Sequence, residues 1–285
     1  MKLLIVSGLS GSGKSVALHT LEDLDHYCID NLPVALLEPF AQQLLDNPSI
    51  DQDKAAVGID ARTPSDELQR FPQILKRLRE RGIDCEILYL QASDDTLLKR
   101  FSETRRRHPL SKGNVSLADA IRRERSLLEP ISANASLHID TTHTNVHQLR
   151  DLVQERVGAK ASDSLSLLFK SFGFKHGVPE DADFVFDVRC LPNPHWNAHL
   201  RPLTGLDPDV AAYLNQQPLV DTMFVEIRNF LAAWIPHFEN ENRSYLTVAL
   251  GCTGGQHRSV YLAQRLGEHF KTCYPSVLVR HRELP

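Results

Sequence analysis

The residues Gly8-Leu9-Ser10-Gly11-Ser12-Gly13-Lys14-Ser15 form a glycine-rich turn that ends in a lysine and a hydroxyl. Glycine backbone N–H groups can curl around phosphate oxygens. Lys14 brings a point charge to the outer phosphates, and the Ser15 hydroxyl can ligate a magnesium ion. This is the chemistry of a nucleotide site. A second constellation lies far downstream, at Gly251-Cys252-Thr253-Gly254-Gly255-Gln256-His257-Arg258-Ser259. A glycine turn with Thr253 and Arg258 ahead of a helix presents free N–H groups and a positive dipole end to an anion.

The spacing from Cys252 to Arg258-Ser259 also matches the phosphate loop of cysteine phosphatases, in which a thiolate attacks phosphorus and the arginine clamps its oxygens. Those enzymes place a histidine before the cysteine, where this chain has Gly251, and no aspartic acid is assignable to protonate a leaving group. Anion binding needs only the backbone and Arg258, so the expectation is a bound phosphorylated ligand without hydrolysis. A buried cysteine in a tight turn is the alternative. His176, Arg189 and His195 follow strand-like runs and can complete a phosphosugar pocket around Thr253, Gly254, Gly255, His257, Arg258 and Ser259. No catalytic residue is assigned.

Elements must hold these loops in place. Leu3 to Val6 is an apolar strand, the first loop follows it, and Ala17 to Leu24 is helix-forming. Tyr27-Cys28-Ile29 reads as a short strand ending at Asp30, which serves either a ligand or a turn. Pro33 starts a helix through Leu45. The strand Ala55 to Ile59 ends at Asp60, so Asp60 is the candidate to hold magnesium water opposite Ser15, with Arg62 near the same mouth. The alternative for Asp60-Ala61-Arg62-Thr63 is an N-cap region. Ser65 to Gly82 is helical, Cys85 to Leu90 is a strand, and Ser93 caps the next helix. Arg105-Arg106-Arg107 reads either as a lid that supplies arginines to a transferred phosphate or as a solvated face. A helix from Leu117 ends at Pro130, Ser136 to Asp140 is a strand, and Asn145 to Val157 closes the unit.

Strand and helix alternation makes residues 1–157 an α/β domain, a P-loop kinase-like doubly wound parallel sheet. The boundary falls in Gly158 to Asp163. Residues 164–285 form a second, smaller α/β domain with strands at Ser164–Phe169, Phe184–Arg189 and Tyr245–Leu250 and helices at Pro208–Leu214 and Val220–Phe238. Hydrophobic residues are 42% and charged residues 24% of the 285, enough for ordinary cores. A net charge of -4 argues against a uniformly basic nucleic-acid binder. The five cysteines are scattered without metal-ligand spacing, so reduced thiols are expected. No apolar run reaches membrane-spanning length, which leads to the expectation of a cytoplasmic protein with no membrane partner.

The motifs Gly8 to Leu18, Asp30 to Pro33, Arg105 to Leu110, Ser171 to Gly177, Asp187 to Arg189 with Leu191 to His195, and Gly251 to Val260 occur in one order, and the chain resembles the RapZ family of RNase adapter proteins along its length. The resemblance implies a regulatory binding protein with, at most, slow nucleotide hydrolysis. Its first domain would bind ATP at Gly8 to Ser15 and GTP at Asp60 to Thr63, with Mg2+ held by Ser15 and Asp60. Its second domain would bind glucosamine-6-phosphate and small regulatory RNA, the homo-oligomer presenting that RNA to RNase E. Gln256 stands where enterobacterial members carry lysine. RNA binding would fall to Lys271, Arg280 and Arg282, whose other reading is a solvated end. A small-molecule kinase and a cysteine phosphatase are the competing functions.

Overall fold

A computed structural model describes residues 1–46, 54–104, 107–111, 115–158, 165–241 and 243–284. The chain divides into two compact units, Met1–Gly158 and Ala159–Pro285. Arg105 and Arg106 of the expected lid lie outside the described residues, as does the boundary stretch 159–164.

In the first unit five parallel strands line up as β2-β3-β1-β4-β5, with β1 Lys2–Gly8, β2 Tyr27–Ile29, β3 Lys54–Gly58, β4 Asp84–Gln91 and β5 Leu137–Asp140. This order requires crossovers, supplied by α1 Lys14–Glu22, α2 Leu37–Asp46, α3 Ser65–Glu80, α4 Asp94–Thr104 and α5 Leu117–Ser132; α6 Val146–Val153 follows β5. Helices on both faces explain why β1, β3 and β4 read as continuous apolar runs. Leu3, Ile5, Val57 and Ile87 are wholly buried in one cluster with Phe71 and Leu78 of α3. The order and the strand-loop-helix at β1 make this the P-loop kinase-like, doubly wound architecture. All five strands point their carboxyl ends at one edge, where ligands collect.

The second unit is a four-stranded parallel sheet, β7-β8-β6-β9, made of β6 Ser166–Gly173, β7 Phe184–Asp187, β8 Tyr245–Cys252 and β9 Ser276–His281. The helices α7 Pro208–Asn215, α8 Pro218–Asn240 and α9 Arg258–Phe270 complete it. Leu167 and Phe169 of β6, Val248 and Leu250 of β8, and Leu262, Leu266 and Phe270 of α9 form its core with Ile227 and Leu231 of α8.

Some boundaries differ from the sequence reading for physical reasons. The helix begun at Leu117 does not stop at Pro130. That proline sits in the last turn of α5, where it forfeits only one ladder bond, and its carbonyl accepts from Asn134 Nδ2 at 2.8 Å. The helix expected at Pro33 opens as one 3-10 turn, Val34–Leu36, before α2. The Asn145 helix has a full capping box but ends at Val153, and Gln154–Gly158 is a π turn. Gly251 and Cys252 belong to β8, which carries the cysteine to the very edge of the sheet. The strand β9 went unread because a basic cluster masked a short apolar run.

Candidate functional site

Gly8 ends β1 with φ of 144°, and a Cβ there would run into the Leu90 carbonyl oxygen, so only glycine fits beside β4. The Leu9 N–H donates to that same carbonyl at 3.1 Å. Gly13 caps α1 in the left-handed region with φ of 107°, leaving the helix N–H groups open. Lys14 Nζ donates to the Gly8 and Leu9 carbonyls at 2.7 and 3.3 Å, which parks the ammonium on the loop's own backbone. Burial pushes the Lys14 pKa down, and nearby Glu124, Asp60 and Asp30 only partly offset it. The buried Ser12 hydroxyl has no partner among the described residues.

Behind the loop lies a buried network that sequence spacing did not reveal. Glu124 of α5 is wholly buried. Its Oε2 accepts from the Ser10 N–H at 2.8 Å, and its Oε1 from the Ser10 hydroxyl at 2.7 Å. His108 Nε2 donates to Oε2 at 3.0 Å, the Leu110 N–H donating to its Nδ1 and fixing that tautomer. Burial pushes the Glu124 pKa up, but bonds from His108 and Ser10 and the charge of Lys14 outweigh it and hold it below the ordinary range. Arg100 adds a second brace, donating to the carbonyl oxygens of Gly11 at 3.0 Å and Thr141 at 2.5 Å. These partners lie about 90 to 130 positions from the loop they support, which is why motif spacing missed them.

In front of the loop opens a cleft of about 600 Å³ lined by Ser10 to Val16, Asp30, Asn31, Asp60, Arg62, Arg100, Phe101 and Arg107. Asp60 reaches it as expected, but both its oxygens are bound by Arg62, Oδ1 by the backbone N–H and Oδ2 by Nε, each at 2.9 Å. Asp30 contributes a second carboxylate that accepts from the Asn31 N–H at 2.8 Å, Asn31 being left-handed with φ of 55°. Ala61 is buried behind this stretch, and the Thr63 N–H closes a turn onto the Asp60 carbonyl. Hard oxygen donors suit magnesium, which protein sites hold by one or two carboxylates together with substrate phosphates. The exposed Ser15 hydroxyl and the Asp30 and Asp60 carboxylates are such donors. No cluster of three or more His, Cys, Asp or Glu residues among the described residues holds a metal alone.

In the second unit β8 ends at Cys252, and α9 starts at Arg258 after a loop open at Thr253, Gly254 and Gln256. Cys252 Sγ lies 3.1 Å from the Ser259 hydroxyl and accepts from the Gly255 N–H at 3.2 Å. Burial pushes the thiol pKa up, but these bonds and the charge of Arg258 outweigh it, leaving it below the ordinary value. Arg258 is 5% exposed; its Nη1 donates to the carbonyls of Arg189 and Leu191 at 2.7 and 3.0 Å. Its Nη2 reaches the Thr253 hydroxyl at 3.3 Å, and its Nε is buried without a partner among the described residues. Phe172 and Phe174 occupy the space a side chain at position 251 would need, which explains Gly251.

The structure brings most of the other expected residues to this loop. His176 ends the one-turn helix Phe174–His176, tied to the loop by the Lys175 N–H donating to the Thr253 carbonyl at 3.3 Å. Arg189 is gripped by Asp187 and lies 4.0 Å over the Phe174 ring. His195 places its ring 6.3 Å from that of His257, whose Nε2 meets the Leu200 carbonyl. Arg280 and Arg282 lie two residues apart, at the end of β9 and just past it, while Lys271 follows α9. Arg282 folds inward, its Nη2 donating to the Gly173 and Gly177 carbonyls at 3.1 and 2.7 Å.

Among the described residues no helix is long and apolar enough to cross a membrane. A nucleotide-binding protein of Nitrosococcus oceani is 60% identical over all of both chains. One of Methylococcus capsulatus is 59% identical over all of this chain and 97% of its own. A shikimate kinase from Bacteroides thetaiotaomicron is 15% identical with a TM-score of 0.36, covering 53% of this chain and 94% of that one. Residues 1–161 match the RapZ-like N-terminal domain and residues 165–285 the RapZ C-terminal domain. Two loops at two sheet edges, joined in this order, therefore belong to a member of the RapZ family.

Proposed function

We propose that this protein is a regulator that binds a nucleoside triphosphate with magnesium at the first loop and a phosphosugar at the second. The observation that carries the reading is a pair of anion cradles, one in each compact unit, each with an underused donor: the half-buried Lys14 on its own loop carbonyls, and the buried Arg258 with an Nε that has no partner among the described residues. An arriving phosphate gives both groups a charged acceptor. The relatives named as nucleotide-binding proteins support the first half. The resemblance drawn from the motifs supplies the finer terms: ATP and GTP, glucosamine-6-phosphate, small RNA, RNase E and a homo-oligomer in the cytoplasm.

Calorimetric titration of the full chain tests this. Lys14→Ala is expected to lose ATP and GTP binding and keep glucosamine-6-phosphate binding. A wild-type chain that takes up neither class of ligand refutes the proposal. For RNA, a set as small as Lys271, Arg280 and Arg282, with Arg282 tied to two backbone carbonyls, supports few phosphate contacts. The logarithm of affinity should then fall with the logarithm of salt at a slope of about -1 to -2.

A second reading is a small-molecule kinase, favoured by Asp30 and Arg107 in the same cleft as Lys14. Rapid transfer from ATP to a panel of sugar phosphates would replace the regulator with that enzyme.

A further inference from the structure

Three features of the second loop converge on one sulfur. Cys252 Sγ accepts from the Gly255 N–H at 3.2 Å and lies 3.1 Å from the Ser259 hydroxyl, which can donate to a thiolate. The α9 N-terminus, starting at Arg258 in a helix of 13 residues, faces the same loop. Independently, the guanidinium of Arg258, 5% exposed, has no partner for its Nε–H among the described residues while Nη1 is tied to two carbonyls. A buried Nε–H without an acceptor carries a desolvation cost, and the Nε and Nη2 edge matches two oxygens of a phosphoryl group. A loop that only binds phosphate has no need of a stabilised sulfur at its base.

We infer that Cys252 is a nucleophile toward phosphorus, so that the second loop hydrolyses activated phosphate monoesters such as aryl phosphates. The inference rests on the reading of this loop as a phosphate cradle. In the first step Sγ forms a bond to phosphorus as the ester P–O bond breaks, and the aryl oxide leaves with the electron pair and needs no proton. In the second step water attacks phosphorus and the S–P bond breaks. Sulfur recovers its pair, and the water's proton passes to solvent with inorganic phosphate released. Arg258 Nε and Nη2 meet the equatorial oxygens in both steps. A sugar alkoxide is a far poorer leaving group and requires an acid at the loop. Gly251 leaves none before Cys252, the Asp187 carboxylate is engaged by Arg189, and the Glu283 carboxylate beside Gly255 is ion-paired through Oε1 with Arg282. A sugar phosphate is therefore held without being consumed, which makes it a competitive inhibitor of the aryl reaction.

The experiment uses the full chain and p-nitrophenyl phosphate, with inorganic phosphate binding measured in parallel by calorimetry. The expected result is saturable p-nitrophenolate release, with a phosphoryl group trapped on the Cys252 peptide after acid quench. Both are lost in Cys252→Ser, which keeps inorganic phosphate binding, and Arg258→Ala lowers turnover by about 100-fold or more. Glucosamine-6-phosphate inhibits and is recovered intact. If the wild type binds inorganic phosphate but shows neither release nor trapped label, the inference falls while the binding function stands. Hydrolysis that persists in Cys252→Ser overturns it as well. Failure of the wild type to bind inorganic phosphate removes both.

Discussion

Replacing Glu124 with alanine should unfasten the first loop from behind. The carboxylate accepts from the Ser10 N–H, the Ser10 hydroxyl and His108 Nε2 in a site with no exposure, so all three donors lose a charged acceptor out of reach of bulk water. At about 1.5–3 kcal/mol for each bond to a charged group, simple addition gives about 5–9 kcal/mol. Members of one network do not add, and breaking a buried pair by removing one partner costs about 3–5 kcal/mol, which is the figure expected here. Both tryptophans, Trp196 and Trp234, lie in the second unit. Their fluorescence in urea should be unmoved, while far-UV dichroism and hydrogen exchange at Ser10 report the loss. Glu124→Gln keeps the shape and one acceptor but turns an amide N–H toward a donor, so an intermediate loss is expected. Because folding lowers this carboxyl's pKa, its contribution is whole above the ordinary glutamate value of about 4.3 and disappears as the pH falls through the lower native value. A Glu124→Ala loss below about 1 kcal/mol, the scale of an unremarkable substitution, would refute the account of the network as the loop's support.

Arg258→Ala should weaken glucosamine-6-phosphate binding by about 1.5–3 kcal/mol in calorimetry, the range for bonds to a charged group. Gly8→Ala drives a methyl into the Leu90 carbonyl at a left-handed position and should abolish nucleotide binding and lower the unfolding midpoint of the first unit. Arg282→Ala removes two carbonyl bonds and leaves Glu283 without its ion partner, so the second unit should lose about 2–4 kcal/mol in urea denaturation read by tryptophan fluorescence.

Both loops were legible because each is a contiguous string whose glycines, cation and hydroxyl state their chemistry locally. The parallel, doubly wound sheet followed from the alternation of apolar runs with helical spacing, whereas the strand order did not. What stayed hidden was set by the chain's return to itself. Glu124, His108 and Arg100 brace the first loop through contacts that no local spacing encodes, and an acidic or basic residue inside a helical pattern reads as solvated face. Asp60 reached the expected mouth, yet Arg62, two residues on, encloses its carboxylate in a way position alone does not specify. At Ser276-Val277-Leu278-Val279-Arg280-His281 the β-branched residues were a strand signal, and the neighbouring cations drew the reading toward a charged surface. The assembled strand instead carries Arg282 inward to backbone carbonyls.

The pairing of β9 with β6 also constrains when the second sheet can close during synthesis. Ser171 and His281, which touch side chain to side chain, are separated by 110 residues. Until the ribosome has released that whole interval, one flank of β6 has no partner, and an unpaired flank invites association with other chains. The first unit waits less, its longest strand-pair interval being the 82 residues from Lys2 to Asp84, and its five strands are complete by Asp140. One half of the molecule can therefore mature on the ribosome while the other waits for its edge.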